Sequence, residues 1–235
     1  IIAELDASEL PGDWAEALRA QGCDVGALHG LVDDLYKDGA HVLPERMNVF
    51  RAFHLTPLHN VHVVILGQDP YPKREQHAQG LAFSVPDDVD IPRSLNNIFR
   101  NLEADEVITF PRPNSGDLTH WANEGVLLLN TALTVTENHA GAHKRQWRAF
   151  TDLVLKAILA EQEHLVFLLW GNQAIERADR AGVTEPPHKV IKSAHPRGGR
   201  SRQKRFKDVP HFSSANHFLA HHDIPEVCWS LAGES

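Results

Sequence analysis

Cysteine is nearly absent from this 235-residue chain, Cys23 and Cys228 being the only two. Two cysteines so far apart build no disulfide scaffold and lack metal-ligand spacing, so a reducing, cytoplasmic setting is expected. Long apolar runs are missing as well. The longest, "VHVVILG" and "LVFLLWG", are strand-sized, well short of the roughly 20 residues that span a bilayer, so no membrane association is expected. No basic-then-apolar leader is present, and a secretory signal is not expected. Internal repeats and low-complexity segments are also lacking. What remains is an ordinary globular composition, 42% hydrophobic and 23% charged, long enough for one domain over 1–235 with a sizeable core.

One further absence is local. Between His188 and Lys207 there is no acidic residue, yet Lys189, Lys192, Arg197, Arg200, Arg202, Lys204, Arg205 and Lys207 crowd into that stretch. The whole chain carries a net charge of −8, so the rest of it is strongly acidic. An acidic body repels nucleic acid at long range, while a focused basic patch can still hold phosphates. Taken alone, such a run is as well explained by a solvated loop.

The apolar pattern sets the frame around this patch. Spacings of three and four predict helices over 13–20 and 26–38, another opening at Pro92 and Ser94 in "IPRSLNNIFRNLEAD", a long one over 147–162 and a last one over 213–223. Short β-branched or leucine-rich runs predict buried strands at 61–68, 125–130, 164–171 and 188–193. Strands alternating with helices predict a three-layer α/β/α sandwich with a central, mostly parallel four-stranded sheet. In such sheets ligands sit at the carboxyl ends of the strands. There the chain places Gln68-Asp69-Pro70-Tyr71, Asn130, Gly171-Asn172 and His195-Pro196. Each alone is most simply a turn residue, a cap, a core aromatic or a satisfied loop histidine. Together they offer groups that can read a planar polar ring and perform acid–base or electrostatic work.

The ordered set "GQDPYP…GLAFSV", "IPRSLNNIF", "GDLTHWANEGVLLLNTALTV", "WRAFTD", "LLWG" and "HP" resembles the family 1 uracil-DNA glycosylases over essentially the whole chain. The resemblance implies a monofunctional hydrolase of base excision repair. It flips uracil from DNA, hydrolyses its N-glycosidic bond and leaves an abasic site. It implies Asp69 and His195 as catalytic residues, Asp69 positioning the attacking water and a neutral His195 donating to the developing charge on O2. It implies a uracil site in which Asn130 matches N3–H and O4, Phe83 stacks, Tyr71 crowds out a thymine methyl and Gln68 forms part of the wall. DNA contacts are implied at Pro92, Ser94, Gly171, Asn172 and Pro196, and from the loop at Arg197, Gly198, Gly199, Arg200, Ser201, Arg202, Lys204 and Arg205. No cofactor and no metal is implied; His217 and His221 are four apart but have no identifiable third ligand. The implied partners are uracil-containing DNA and DNA-mimic inhibitor proteins, for a monomeric enzyme.

One departure matters. Where the family usually reads His-Pro-Ser-Pro-Leu-Ser, its leucine entering the minor groove, this chain reads His195-Pro196-Arg197-Gly198-Gly199-Arg200-Ser201. Gly171-Asn172 replaces a Gly-Ser pair, and the spacing in "HKRQW" is shorter. The loss of an apolar wedge predicts weaker extrusion from duplex and a preference for single-stranded or distorted DNA. The alternative is a remodelled binding module that holds uracil or abasic DNA with little turnover.

Overall fold

The computed structural model describes residues 7–37, 41–74, 77–199 and 201–231. Four strands form the central sheet: β2 (Val63–Gly67), β3 (Val126–Asn130), β5 (Val166–Trp170) and β6 (Lys189–Ser193), in the order β3-β2-β5-β6. All three pairings are parallel. β2, β3 and β5 are buried at every position, as parallel strands covered on both faces must be. Each lies inside the run predicted for it.

Helices flank the sheet on both sides, giving the expected three-layer sandwich. They are α1 (Gly12–Ala20), α2 (Val25–Tyr36), α3 (Arg51–Leu55), α4 (Arg93–Glu103), α5 (Thr119–Asn123), α6 (Lys144–Glu161), α7 (Asn172–Ala181) and α8 (His211–His221). Two aromatic clusters fill the spaces between layers. Trp14, Phe50, Phe53, Trp147 and Phe150 meet mostly edge to face in one. Phe99, Trp121, Phe212 and Trp229 make the other. Each ring is inaccessible or nearly so, and truncating any one to alanine should cost about 3–5 kcal/mol.

Several elements escaped the sequence pattern. β1 (Val42–Leu43) and β4 (Val135–Thr136) form a two-residue antiparallel ladder, too short to show alternation. α3 and α5 have five residues each. α6 starts at Lys144, three residues before the predicted 147, and α8 at His211 instead of 213.

The register holds the feature that makes a site. β2 pairs with β3 as far as Gly67↔Asn130, and β5 with β6 as far as Trp170↔Ser193. β2 and β5 pair only from Val63↔Val166 to Ile65↔Leu168. The middle of the sheet therefore parts over its last two residues. The connections also diverge here, since the chain runs from β2 outward to β3 and then crosses back to β5. This is the switch point where open α/β sheets bind ligands.

Candidate active site

A cavity of about 290 Å³ opens at this parting, lined by Gln68, Asp69, Tyr71, Phe83, Asn130 and His195, with Ser94, Arg197 and Gly198 at its edge. The ends of β2, β3 and β6 and the loop carrying Phe83 thus converge on one hollow, while the end of β5 lines a neighbouring one.

Asp69, Phe83 and His195 are each held by a hydrogen bond to another residue. Gly141 N–H donates to the Asp69 carboxylate at Oδ2. Thr131 donates its N–H to the Gly67 carbonyl and its hydroxyl to the Gln68 carbonyl, at 3.0 and 2.8 Å, so the ends of β2 and β3 are tied across the cavity floor. Asn130 is only 6% exposed, and among the described residues its side-chain amide has no hydrogen-bond partner. The residue lines the cavity, where a ligand can supply the complementary donor and acceptor. Its fit is close: a Cβ at Gly67 would run into Asn130 Oδ1. Only glycine leaves room for the amide there.

Phe83 adopts a left-handed backbone, φ +66°, an arrangement that costs of the order of 1 kcal/mol in a bulky residue. The Tyr71 hydroxyl donates to the Phe83 carbonyl at 3.1 Å and helps hold it. Burial pushes that hydroxyl's pKa upward, so it stays a donor. Behind Phe83 stands Trp170, ring centroids 5.5 Å apart, whose indole N–H donates to His211 Nδ1 at 3.3 Å. His211 in turn donates its Nε2–H to the Phe206 carbonyl, and burial lowers its pKa to about 4, keeping it neutral.

His195 lies 6.0 Å from the Phe83 ring. Its Nδ1 accepts the backbone N–H of Arg197 at 3.0 Å. That bond assigns the ring proton to Nε2, which is left as a donor. Burial first, and then the nearby Arg197 charge, lower the His195 pKa below its ordinary value. The ring is consequently neutral at pH 7. A Cβ at Gly171, where φ is +91°, would come within 3.2 Å of His195 Cβ, so the loop after β5 also packs closely here.

The remaining sequence-predicted residues divide. Gly171 and Asn172 open α7 beside Gln68 and Gln173, in a neighbouring hollow that His195 shares. Gln68 Nε2 donates to Gln173 Oε1, and the residue lines both this hollow and the first. Pro92 stands at the N-cap of α4. Pro196, Gly199 and Arg205 join Arg197 and Gly198 around a third hollow on the other side of His195. Ser201, Arg202 and Lys204 line none of these; Ser201 Oγ accepts from Gln203 N–H and the other two side chains are exposed. Arg205 is paired with Asp208 at 2.7 Å. Arg200 lies outside the described residues. Among the described residues no group of three or more His, Cys, Asp or Glu could hold a metal ion.

Residues 53–220 match the family model described as the uracil DNA glycosylase superfamily. The chain belongs to that superfamily. The Campylobacter curvus uracil-DNA glycosylase is 45% identical over 230 residues, covering 97% of this chain and 96% of that one. The Bacteroides fragilis uracil-DNA glycosylase 1 is 44% identical over 191 residues, covering 81% and 84%. Among solved structures, the mimivirus uracil-DNA glycosylase superposes with a TM-score of 0.84 at 26% identity, over 97% of this chain and 90% of that one. A variant of that viral enzyme has been solved in complex with UGI. The protein is a hydrolase that excises uracil from DNA in DNA repair.

Three contributors to this glycosylase site were not foreseen. Gly141 and Trp170 hold and back the named residues, and Gly67 makes room for Asn130. Gly67 carried a signal, a glycine closing an apolar strand just before the Gln-Asp-Pro-Tyr turn. Gly141, 72 positions from Asp69, carried none.

Proposed function

We propose that this enzyme reads flipped uracil and cleaves its bond to deoxyribose with the five residues around the cavity. Asn130 recognises N3–H and O4, for which its unpaired amide is the matching donor and acceptor. Phe83 stacks on the ring, and Tyr71 closes the space a C5 methyl would need. His195, neutral with its proton on Nε2, donates to O2 as the uracil leaves as an anion. Asp69 directs the attacking water and stabilises the cation-like sugar. No proton need leave His195, so its low pKa suits the role. The single observation that carries this reading is the convergence of Asp69, Tyr71, Phe83, Asn130 and His195 on one cavity at the parted strands.

The finer reading concerns DNA. The basic loop from Arg197 to Lys207 holds phosphates without an apolar wedge, and the enzyme favours single-stranded or distorted uracil sites over intact duplex. One domain over 1–235, acting as a cytoplasmic monomer and open to DNA-mimic inhibitor proteins, completes it. The mimivirus complex with UGI supports the last point.

The test is excision from one labelled oligonucleotide with a single uracil, single-stranded and duplexed, beside Asp69→Asn. Cleavage that falls by about 100-fold or more in the variant is the expected result, a carboxylate directing water being worth that much. A variant as active as the wild type would remove Asp69 from the mechanism. Equal rates on both strand forms would remove the strand preference and leave the chemistry standing.

A further inference from the structure

The loop after His195 walls a second cavity besides the uracil pocket. It has a volume of about 580 Å³, twice that of the pocket, and His195, Arg197 and Gly198 line both. A strand with its uracil in the first hollow therefore passes directly beside the second.

The lining has one sign of charge. Arg93, Arg100, Arg197 and Lys207 border the cavity, and no Asp or Glu does. All four are exposed, and among the described residues none of their side chains makes an ion pair or hydrogen bond. Asp208, the acid at this end of the loop, is taken up by Arg205. Four like charges around one hollow repel one another, and an anion placed among them relieves that repulsion. Phe206 and Pro196, both largely buried, add apolar surface to the lining. Phe206 is braced by a stack on His211, centroids 4.5 Å apart.

The cavity is also held in shape. Asn97 Nδ2 donates to the Pro196 carbonyl at 2.8 Å, and Asn101 Nδ2, one turn later, donates to the Val209 carbonyl at 3.1 Å. One face of α4 thus fixes both ends of the loop and sets Arg93 and Arg100 along the same edge.

We propose that this cavity seats the nucleotide adjoining the uracil in the same strand. Its base lies against Phe206 and Pro196, and its phosphate lies among Arg93, Arg100, Arg197 and Lys207. The proposal rests on the uracil-excision reading and deepens it. Holding a second unstacked nucleotide keeps the strand open beside the flipped base, the task an inserted apolar side chain performs from within a duplex. Glycines can then occupy the loop position where a wedge would stand. Because stacking uses the face common to every base, the subsite does not discriminate among neighbours.

The experiment compares three single-stranded oligonucleotides, one unmodified and two carrying a base-less tetrahydrofuran spacer on the 5′ or the 3′ side of the uracil. Wild type and the double variant Arg93→Gln/Arg100→Gln are measured on each. In the wild type, a spacer on one side only should raise KM by roughly tenfold, within the range for one stacked base, with kcat unchanged. The double variant should lose most of that discrimination. Its slope of log affinity against log salt should also fall by about 0.7, the value of one single-strand phosphate contact. Both arginines are exposed, and matched thermal melting checks that the fold is intact. Equal KM on all three strands, or a double variant that keeps both the discrimination and the salt slope, overturns the proposal. A wild type that cleaves none of the strands overturns the uracil-excision reading with it, which separates the two failures.

Discussion

The uracil pocket and the basic loop share His195 as a boundary, yet they are built by opposite means. In the pocket three groups are each fixed by a second residue, Asp69 by Gly141, Phe83 by Tyr71 and His195 by the Arg197 backbone, and Asn130 packs closely against Gly67. In the loop, Gly198 and Gly199 have left-handed backbones, φ +88° and +130°, and a Cβ on either would touch nothing within 4 Å. Its cations mostly face solvent. Bond cleavage depends on groups placed to within fractions of an ångström, whereas attraction between charges persists over about 8–10 Å in physiological salt. A loop pinned only at its ends can therefore serve the second task, whereas the first needs each group held.

The sharpest way to break this contrast is one methyl group. Gly67→Ala forces its Cβ onto Asn130 Oδ1, and displacing that amide by about 1 Å should lower kcat/KM roughly 100-fold, measured on single-stranded uracil substrate. The same change at Gly198 meets no neighbour and costs only the strain of a side chain at φ +88°, so it should lower kcat/KM far less. A comparable loss in a variant that melts like the wild type would show that the loop is as tightly specified as the pocket.

Removing charge from the loop should act on affinity instead. Arg202→Gln with Lys204→Gln should weaken strand binding several-fold at low salt and reduce the salt slope by about 0.7 for each phosphate no longer neutralised, with kcat preserved. Binding titrations across salt concentrations measure both. A fall in kcat at an unchanged slope would place these side chains in the chemistry.

The smallest effect lies at the boundary itself. The proposed mechanism uses His195 as a neutral ring, so activity should fall on the acid side as it takes up a proton at Nδ1 and loses the Arg197 N–H bond. Burial and the Arg197 charge both hold that event below the ordinary histidine range. Arg197→Gln removes one cause and keeps the larger, so the acid limb of kcat should move to higher pH. A limb that stays in place, or moves lower, would show that Arg197 exerts no charge effect on the pocket.

The sequence by itself determined the architecture and most of the site's membership. Buried runs such as "VVILG" and "VLLLN" can be satisfied only inside a covered parallel sheet, and the residues that follow them must then collect at one edge. Asp69, Tyr71, Asn130 and His195 were legible for that reason, as was the concentration of charge after His195. Tertiary structure alone decided the rest. Nothing local to β2 or β5 tells that their pairing ends at Ile65↔Leu168, because register is a property of two strands and of what packs on them. Gly141 beneath Asp69, Trp170 behind Phe83 and the two asparagines of α4 that pin the loop act across 72, 87, 99 and 108 positions. Hydrogen bonds and ring contacts at such separations leave no periodic trace along a chain. They exist only once packing has brought the partners together.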